Sequence, residues 1–262
     1  MKAVISLSGG LDSTCLLLHL LTNGYDEIRA YSFDYGQKHS IELKKVKKNV
    51  KYLQKKGYNI EHQVINVRDV FSDSASSLHK GGKEIPKGHY ADENMKSTVV
   101  ENRNVIFSAI IYGKALGWAN KTGDNVVITL GIHAGDHTIY PDCRPESHEA
   151  AKHLFKISNW NSEAVDYIAP FENIDKGKVL AAGIKAMKQM GLTKAGIKSV
   201  LKNTHTCYNP DENGNSCGEC GSCRERLEAF EQNGMEDPLH YNAKPVTEKM
   251  IDQLANEIRA IL

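Results

Sequence analysis

Residues 2–13 read Lys2-Ala-Val-Ile-Ser-Leu-Ser-Gly-Gly-Leu-Asp-Ser13, and this stretch decides the fold. Its first six residues are short, apolar and rich in β-branched side chains, which suits a buried strand. Ser8 to Asp12 then breaks the run with two glycines, and residues 14–21 are leucine-rich, as in a helix packed on a sheet. The glycines let the backbone turn sharply and approach a ligand closely. The helix that follows presents free N–H groups and a partial positive charge, which suit a phosphate. Ser8, Ser13 and Thr14 add hydroxyl donors. The stretch matches neither G-x-x-x-x-G-K-[ST] nor G-x-G-x-x-G, so a Walker loop and a dinucleotide fingerprint are both excluded.

Outward from this turn, residues 27–33 read as a second strand and residues 63–67 as a third. Between them Leu43, Val46, Val50 and Leu53 recur at helical spacing, and lysines 44, 45, 47, 48 and 51 fill the solvated face. Strand–helix–strand–helix–strand order predicts an α/β fold with a doubly wound parallel sheet, whose ligands collect beyond the carboxyl ends of its strands. Residues 71–97 are polar and predict a long loop beside that edge, suited to a lid. Further along, helices are expected over 104–120, 146–159, 176–190 and 224–232, with strands over 125–130 and 167–169. An amphipathic tail helix is expected over 247–262, with Met250, Ile251, Leu254, Ile258 and Ile261 on one side. The chain divides on this reading into an α/β domain over 1–200, a small cysteine-bearing module over 201–241 and a tail over 242–262.

The 262 residues carry 33 Lys+Arg against 32 Asp+Glu, a formal charge of +1, with 40% hydrophobic residues. These values exclude a disordered or collagen-like chain and give no support to general nucleic-acid binding. No apolar run approaches the roughly 20 residues of a membrane span. With no basic n-region ahead of an apolar stretch, a cytoplasmic protein is expected. Four of the six cysteines crowd one stretch, Cys207, Cys217, Cys220 and Cys223. The spacing C-x9-C-x2-C-x2-C suits a structural tetrahedral zinc site, and an iron–sulfur cluster is the competing reading. The group His133, Asp136 and His137 lacks the H-E-x-x-H pattern of a hydrolytic metal site.

Ser8-Gly-Gly-Leu-Asp-Ser13 resembles the pyrophosphate loop of the ATP pyrophosphatase superfamily, whose fold is adenine nucleotide α-hydrolase-like and Rossmann-like. Five further landmarks, in order, resemble one of its families, the 7-cyano-7-deazaguanine synthases: Phe33-Asp-Tyr-Gly-Gln-Lys-His39; Glu101-Asn-Arg-Asn104; the segment from Gly131 to Glu146 around Tyr140-Pro-Asp-Cys-Arg144; Lys176; and Thr204-His-Thr-Cys-Tyr208 leading into the cysteine run, followed by Arg226. Ser147 and Lys178 depart from the family's common residues, an aromatic and an acid.

The resemblance implies ATP-dependent conversion of 7-carboxy-7-deazaguanine and ammonia to the nitrile, through an adenylated carboxylate and an adenylated amide, within queuosine or deazapurine biosynthesis. It implies Mg2+ with ATP, structural Zn2+ at the four cysteines and a homodimer with no direct nucleic-acid partner. On the same basis Ser8, Gly9, Gly10, Leu11, Asp12, Ser13, Phe33 and Gly131 are expected to bind the nucleotide. Gln37, His39, Arg103, Tyr140, Asp142 and Arg144 are expected at the substrate. Asp12, Arg103, Lys176, Asp136 and Arg144 are expected to carry the chemistry. Two other readings remain: a tRNA thiolation enzyme of the same superfamily, which needs a cysteine pair at the ATP site, and a related enzyme acting on a macromolecular acceptor.

Overall fold

The computed structural model describes residues 1–88 and 92–243, so the tail helix expected over 247–262 lies outside the described residues. Five strands form one sheet: β1 (Lys2–Ser6), β2 (Glu27–Asp34), β3 (Ile60–Asn66), β4 (Val126–Thr129) and β5 (Val165–Ile168). They lie in the order β3-β2-β1-β4-β5, and every pairing is parallel. The chain winds outward from β1 through α1 (Leu11–Thr22) and α2 (Glu42–Lys55). It then crosses back through α3 (Arg103–Thr122) to β4 and runs through α4 (Pro145–Ile157) to β5. The direction of winding reverses between β1 and β4, which makes their carboxyl ends the place where a ligand crevice opens.

Side chains alternate across the sheet as a period of two requires. Ala3, Ile5 and Leu7 join Ile28 and Ala30 on the face covered by α1 and α2. Val4, Tyr31 and Phe33 face the opposite layer, with Phe107, Ile111 and Ala115 of α3. After β5 the chain returns to the first face as α5 (Lys176–Gln189), α6 (Lys194–Lys202) and α7 (Gly221–Gln232).

Two segments differ from the sequence expectation. Helix α6 was not expected. Thr193 caps it by accepting the Gly196 N–H at 3.2 Å, and Ile197, Val200 and Leu201 bury its short apolar stripe. The polar stretch after β3 is not a free lid. Phe71, Leu78 and Met95 are buried, and Lys38 N–H and Lys80 N–H bond to the carbonyls of Leu78 and Gly36 at 2.9 Å each. A polar composition hides this because the anchors are single apolar residues spaced too widely to form a periodic pattern.

The cysteine segment is keyed into the same body by Arg226, which is 1% exposed. Its guanidinium donates to Asp237 at 2.6 and 3.1 Å, to Thr204 and Thr206 hydroxyls at 2.8 and 3.0 Å, and to the Leu201 carbonyl at 3.3 Å. A buried charge is tolerated only with such pairing, so this fork fixes residues 201–206 against α7.

Candidate active site

One cleft opens at the carboxyl ends of β1 and β4, with a volume of about 920 Å³ including its mouth. Its first wall is the turn between β1 and α1. Gly9 has φ +97°, and a Cβ there would lie 2.6 Å from the Glu42 carbonyl oxygen, so only glycine lets the turn pack against α2. The Ser8 and Ser13 hydroxyls lie 3.0 Å apart, and they accept the Gly10 and Gly9 N–H groups at 3.1 and 3.3 Å. Gly10 begins α1 with no side-chain cap, so the helix end is left to an anionic ligand. Gly131 closes the floor: a Cβ there would sit 2.9 Å from the Ser13 nitrogen.

Buried charges gather beside this turn. Lys176, 5% exposed at the start of α5, places its ammonium 3.2 Å from Asp12 Oδ2 and 2.6 Å from Glu225 Oε2. Burial alone would lower the Lys176 pKa, but the carboxylates of Asp12, Glu225 and Asp136 outweigh it and hold the ammonium above its ordinary value. His133 Nδ1 accepts the Gly135 N–H at 3.1 Å, and its Nε2 lies 3.7 Å from Asp136 and 3.8 Å from Glu225. Asp12 Oδ1 is buried without a hydrogen-bond partner. An orphaned carboxylate oxygen at a phosphate-type turn is the ligand chemistry a hard divalent cation uses, so the residues present fit Mg2+.

The second wall is aromatic. Arg103, the first residue of α3, donates to the Tyr35 hydroxyl at 3.2 Å, and its guanidinium carbon lies 5.6 and 5.8 Å from the Tyr35 and Tyr140 ring centres. Its placement depends on Asp142, whose oxygens accept the Asn104 backbone and side-chain N–H groups at 2.9 and 3.2 Å and so cap α3. Phe107, Tyr208, His205 and Glu42 complete this side. Burial pulls His39 and His205 down to about 3 and about 4, so both are neutral at pH 7. Burial pushes the Glu42 carboxyl up to about 8, with the Gln37 hydrogen bond and the Arg103 charge only partly offsetting it.

Of the residues singled out in the sequence, Ser8, Gly10, Asp12, Ser13, His39, Arg103, Gly131, Asp136, Tyr140 and Lys176 line this cleft. Leu11 and Phe33 stand behind it in the core, and Phe33 stacks on Phe107 at 3.9 Å. Gln37 is fully buried and orders the turn before α2, donating to the Phe33 carbonyl at 3.0 Å and to Glu42 at 2.9 Å. Arg144 donates to the His137 carbonyl at 2.9 Å, which holds the loop after β4. Glu42 and Glu225 were missed. Glu42 carried a signal, three residues past His39 at a helix start beyond a strand's carboxyl end. Glu225 carried none, since its partner Lys176 lies 49 residues away.

The sulfur atoms of Cys207, Cys217, Cys220 and Cys223 all lie within 4.8 Å of one another, and Cys217 and Cys223 are 3.9 Å apart. A tetrahedron with Zn–S bonds of about 2.3 Å has edges of about 3.8 Å, so the four thiols fit a single metal ion such as zinc. Among the described residues this is the one group of His, Cys, Asp and Glu close enough to hold a metal. The same segment builds the cleft, because Thr206, Tyr208 and Ser222 line it and Glu225 pairs with Lys176. Cys143 lines the cleft alone, buried and with its thiol pushed up by that burial, while Cys15 lies in the core beneath α5. No helix of the described residues is long and apolar enough to cross a membrane.

A parallel α/β sheet with a glycine turn at its winding reversal is an arrangement in which nucleotides are commonly bound. The model of one family, queuosine biosynthesis protein QueC, matches residues 2–234. The chain is 45% identical to a 7-cyano-7-deazaguanine synthase of Marinomonas sp. (strain MWYL1), over 92% of this chain and 99% of that one. It is 39% identical to the enzyme of that name from Methanoregula boonei, with 92% and 99% covered. It is 38% identical to the one from Caldicellulosiruptor saccharolyticus, with 92% and 96% covered. The chain belongs to the QueC family of queuosine biosynthesis proteins.

Proposed function

We propose that this protein is an ATP-dependent 7-cyano-7-deazaguanine synthase, which turns 7-carboxy-7-deazaguanine and ammonia into the nitrile. The observation that carries the reading is one cleft joining a phosphate-type turn to an aromatic wall headed by Arg103, in a chain of this family. The β- and γ-phosphates are held by the N–H and hydroxyl groups of Ser8 to Ser13, with the ammonium of Lys176 close by. A carboxylate oxygen of the substrate attacks the α-phosphorus, and pyrophosphate leaves. Ammonia then attacks the acyl carbon, AMP leaves and a proton is lost, giving the amide. The amide oxygen attacks a second ATP, again releasing pyrophosphate. The nitrogen gives up its two protons as the C–O bond to AMP breaks, and the nitrile remains.

Fixed donors that meet charge on the leaving pyrophosphate are the largest expected contribution of the turn. Asp12 would hold Mg2+, which would supply charge neutralisation for the phosphates. Arg103 suits the substrate carboxylate through its planar fork. Zinc at the four cysteines would be structural, since a closed four-thiolate set leaves no open position. The reading divides the chain into the ATP-handling domain over 1–200, the zinc segment over 201–241 and the tail over 242–262, and takes the protein to be a cytoplasmic homodimer. A thiolation enzyme is disfavoured, because Cys143 has no second cysteine beside it at the cleft among the described residues.

The test is turnover of 7-carboxy-7-deazaguanine with MgATP and ammonium, followed by mass spectrometry. Nitrile with AMP and pyrophosphate is the expected outcome. ATP binding with neither amide nor nitrile formed would reject the substrate.

A further inference from the structure

Among the described residues, three carboxyl groups line the cleft, those of Asp12, Glu42 and Asp136. Two stand beside the phosphate turn. Asp12 pairs with Lys176 at 3.2 Å, and Asp136 accepts the His133 N–H at 3.1 Å. Glu42 belongs to the aromatic wall. It is 7% exposed, and Oε1 accepts from Gln37 Nε2 at 2.9 Å and lies 3.8 Å from His39 Nε2. Gln37 is itself fixed to the Phe33 carbonyl, so the carboxyl plane is set in advance. Glu42 lines the cleft, and the hydrogen bond and close histidine contact of its carboxyl both fall on Oε1. Arg103 donates Nη1 to the Tyr35 hydroxyl and forms no ion pair with Glu42 among the described residues.

A carboxylate that is oriented, buried and set among flat apolar rings suits a planar heterocycle with two adjacent N–H donors. The ring N–H and exocyclic amino group of a guanine-like base form such an edge, and the two oxygens of a carboxylate accept it side by side. We propose that Glu42 reads this edge of the substrate base while the ring lies among Tyr35, Phe107, Tyr140 and Tyr208. The inference rests on the function proposed above and names the residue that recognises its substrate.

It carries a sign that separates it from an adenine contact. The groups facing Glu42 are Gln37, His39 and Tyr35 from the turn after β2, Arg103 from α3, and His205 ahead of Cys207. His39 is neutral at pH 7, and the Glu42 carboxyl, at about 8, holds its proton there when unliganded. Two donors facing it favour the charged form, so binding a guanine-like edge at pH 7 expels that proton. An adenine edge offers one donor and one acceptor, which match a protonated carboxyl and expel nothing.

The experiment is calorimetric titration of the full chain at pH 7 in buffers of different ionisation enthalpy, with 7-deazaguanine, with 7-deazahypoxanthine, which lacks the amino group, and with MgATP. Wild type is expected to bind 7-deazaguanine at least about tenfold more tightly than 7-deazahypoxanthine and to release about one proton. Glu42→Gln is expected to lose both the preference and the proton, with ATP affinity held within about threefold. The wild-type proton count needs no variant, so a misfolded substitution does not blunt the test. Preference retained in Glu42→Gln, weaker ATP binding in place of weaker base binding, or no preference in wild type would each overturn the inference. Nitrile formation is read separately. Turnover with an indifferent Glu42→Gln rejects Glu42 and keeps the reaction, whereas edge preference without turnover keeps Glu42 and rejects the reaction.

Discussion

On the wall beside the phosphate turn, charge is buried in pairs. Lys176 stands between Asp12 and Glu225, whose carboxylates hold its ammonium charged, and His133 lies within 4 Å of three carboxylates. On the aromatic wall, charge is largely withdrawn. His39 and His205 are neutral and Glu42 is poised near neutrality, so Arg103 is left as the cation among tyrosines. The first wall suits a polyanion whose charge shifts during reaction, and the second suits a flat, uncharged ring bearing one carboxylate. The difference teaches that a single cleft can hold two ligands by holding two electrostatic environments apart.

Removing a metal held at the four cysteines should abolish both walls together, because the cysteine segment supplies Glu225 to one and Thr206 and Tyr208 to the other. Stripping it with a chelator, or Cys217→Ser, should lower Tm by about 10 °C or more and end turnover. Metal analysis alongside the melt checks this, and an apoprotein that melts unchanged breaks the link. Lys176→Met should damage only the phosphate wall. It leaves Asp12 and Glu225 buried without their cation, which costs about 3–5 kcal/mol, and ATP turnover should fall by about a thousandfold. Equal loss of base binding in that variant would show that the walls are not separate.

Two groups of the aromatic wall should answer oppositely to pH. Glu42 is raised from 4.5 to about 8, so its contribution to stability is present below about 4.5 and is lost as pH rises through about 8. Glu42→Gln should therefore gain on wild type in melts between about pH 6 and about pH 9, by several degrees. His39 is lowered from 6.5 to about 3, so its contribution is present above about 6.5 and is lost as pH falls toward about 3. The smallest effect belongs to Lys178, two residues from Lys176 yet exposed and paired with Asp175 at 3.1 Å. Lys178→Ala should change stability by less than about 0.5 kcal/mol and leave kcat/KM unchanged.

How much of this was legible in the sequence follows from how local each signal is. The sheet and its winding were readable because β1 and β4 are short, mostly apolar runs and α2 keeps its period over 14 residues. The phosphate wall announced itself through one hexapeptide. Helix α6, nine residues long, carried too short a stripe to stand out from its surroundings. The burial of Lys176 depends on Glu225, and the burial of Glu42 on rings from α3 and the residues flanking Cys207, contacts that no local pattern encodes. Gln37 and Asp142 show the converse. Their motifs pointed to substrate contacts, whereas their hydrogen bonds order the turn before α2 and the first turn of α3.

The central claim is that the substrate's oxygens attack the α-phosphorus of ATP held at the β1–α1 turn. The most direct test is turnover of 7-carboxy-7-deazaguanine carrying oxygen-18 in both carboxylate positions, with the label traced by mass spectrometry. The account predicts one labelled oxygen in the AMP from each step, unlabelled pyrophosphate and an oxygen-free nitrile. Label in pyrophosphate or in orthophosphate would place the attack on another phosphorus and contradict it.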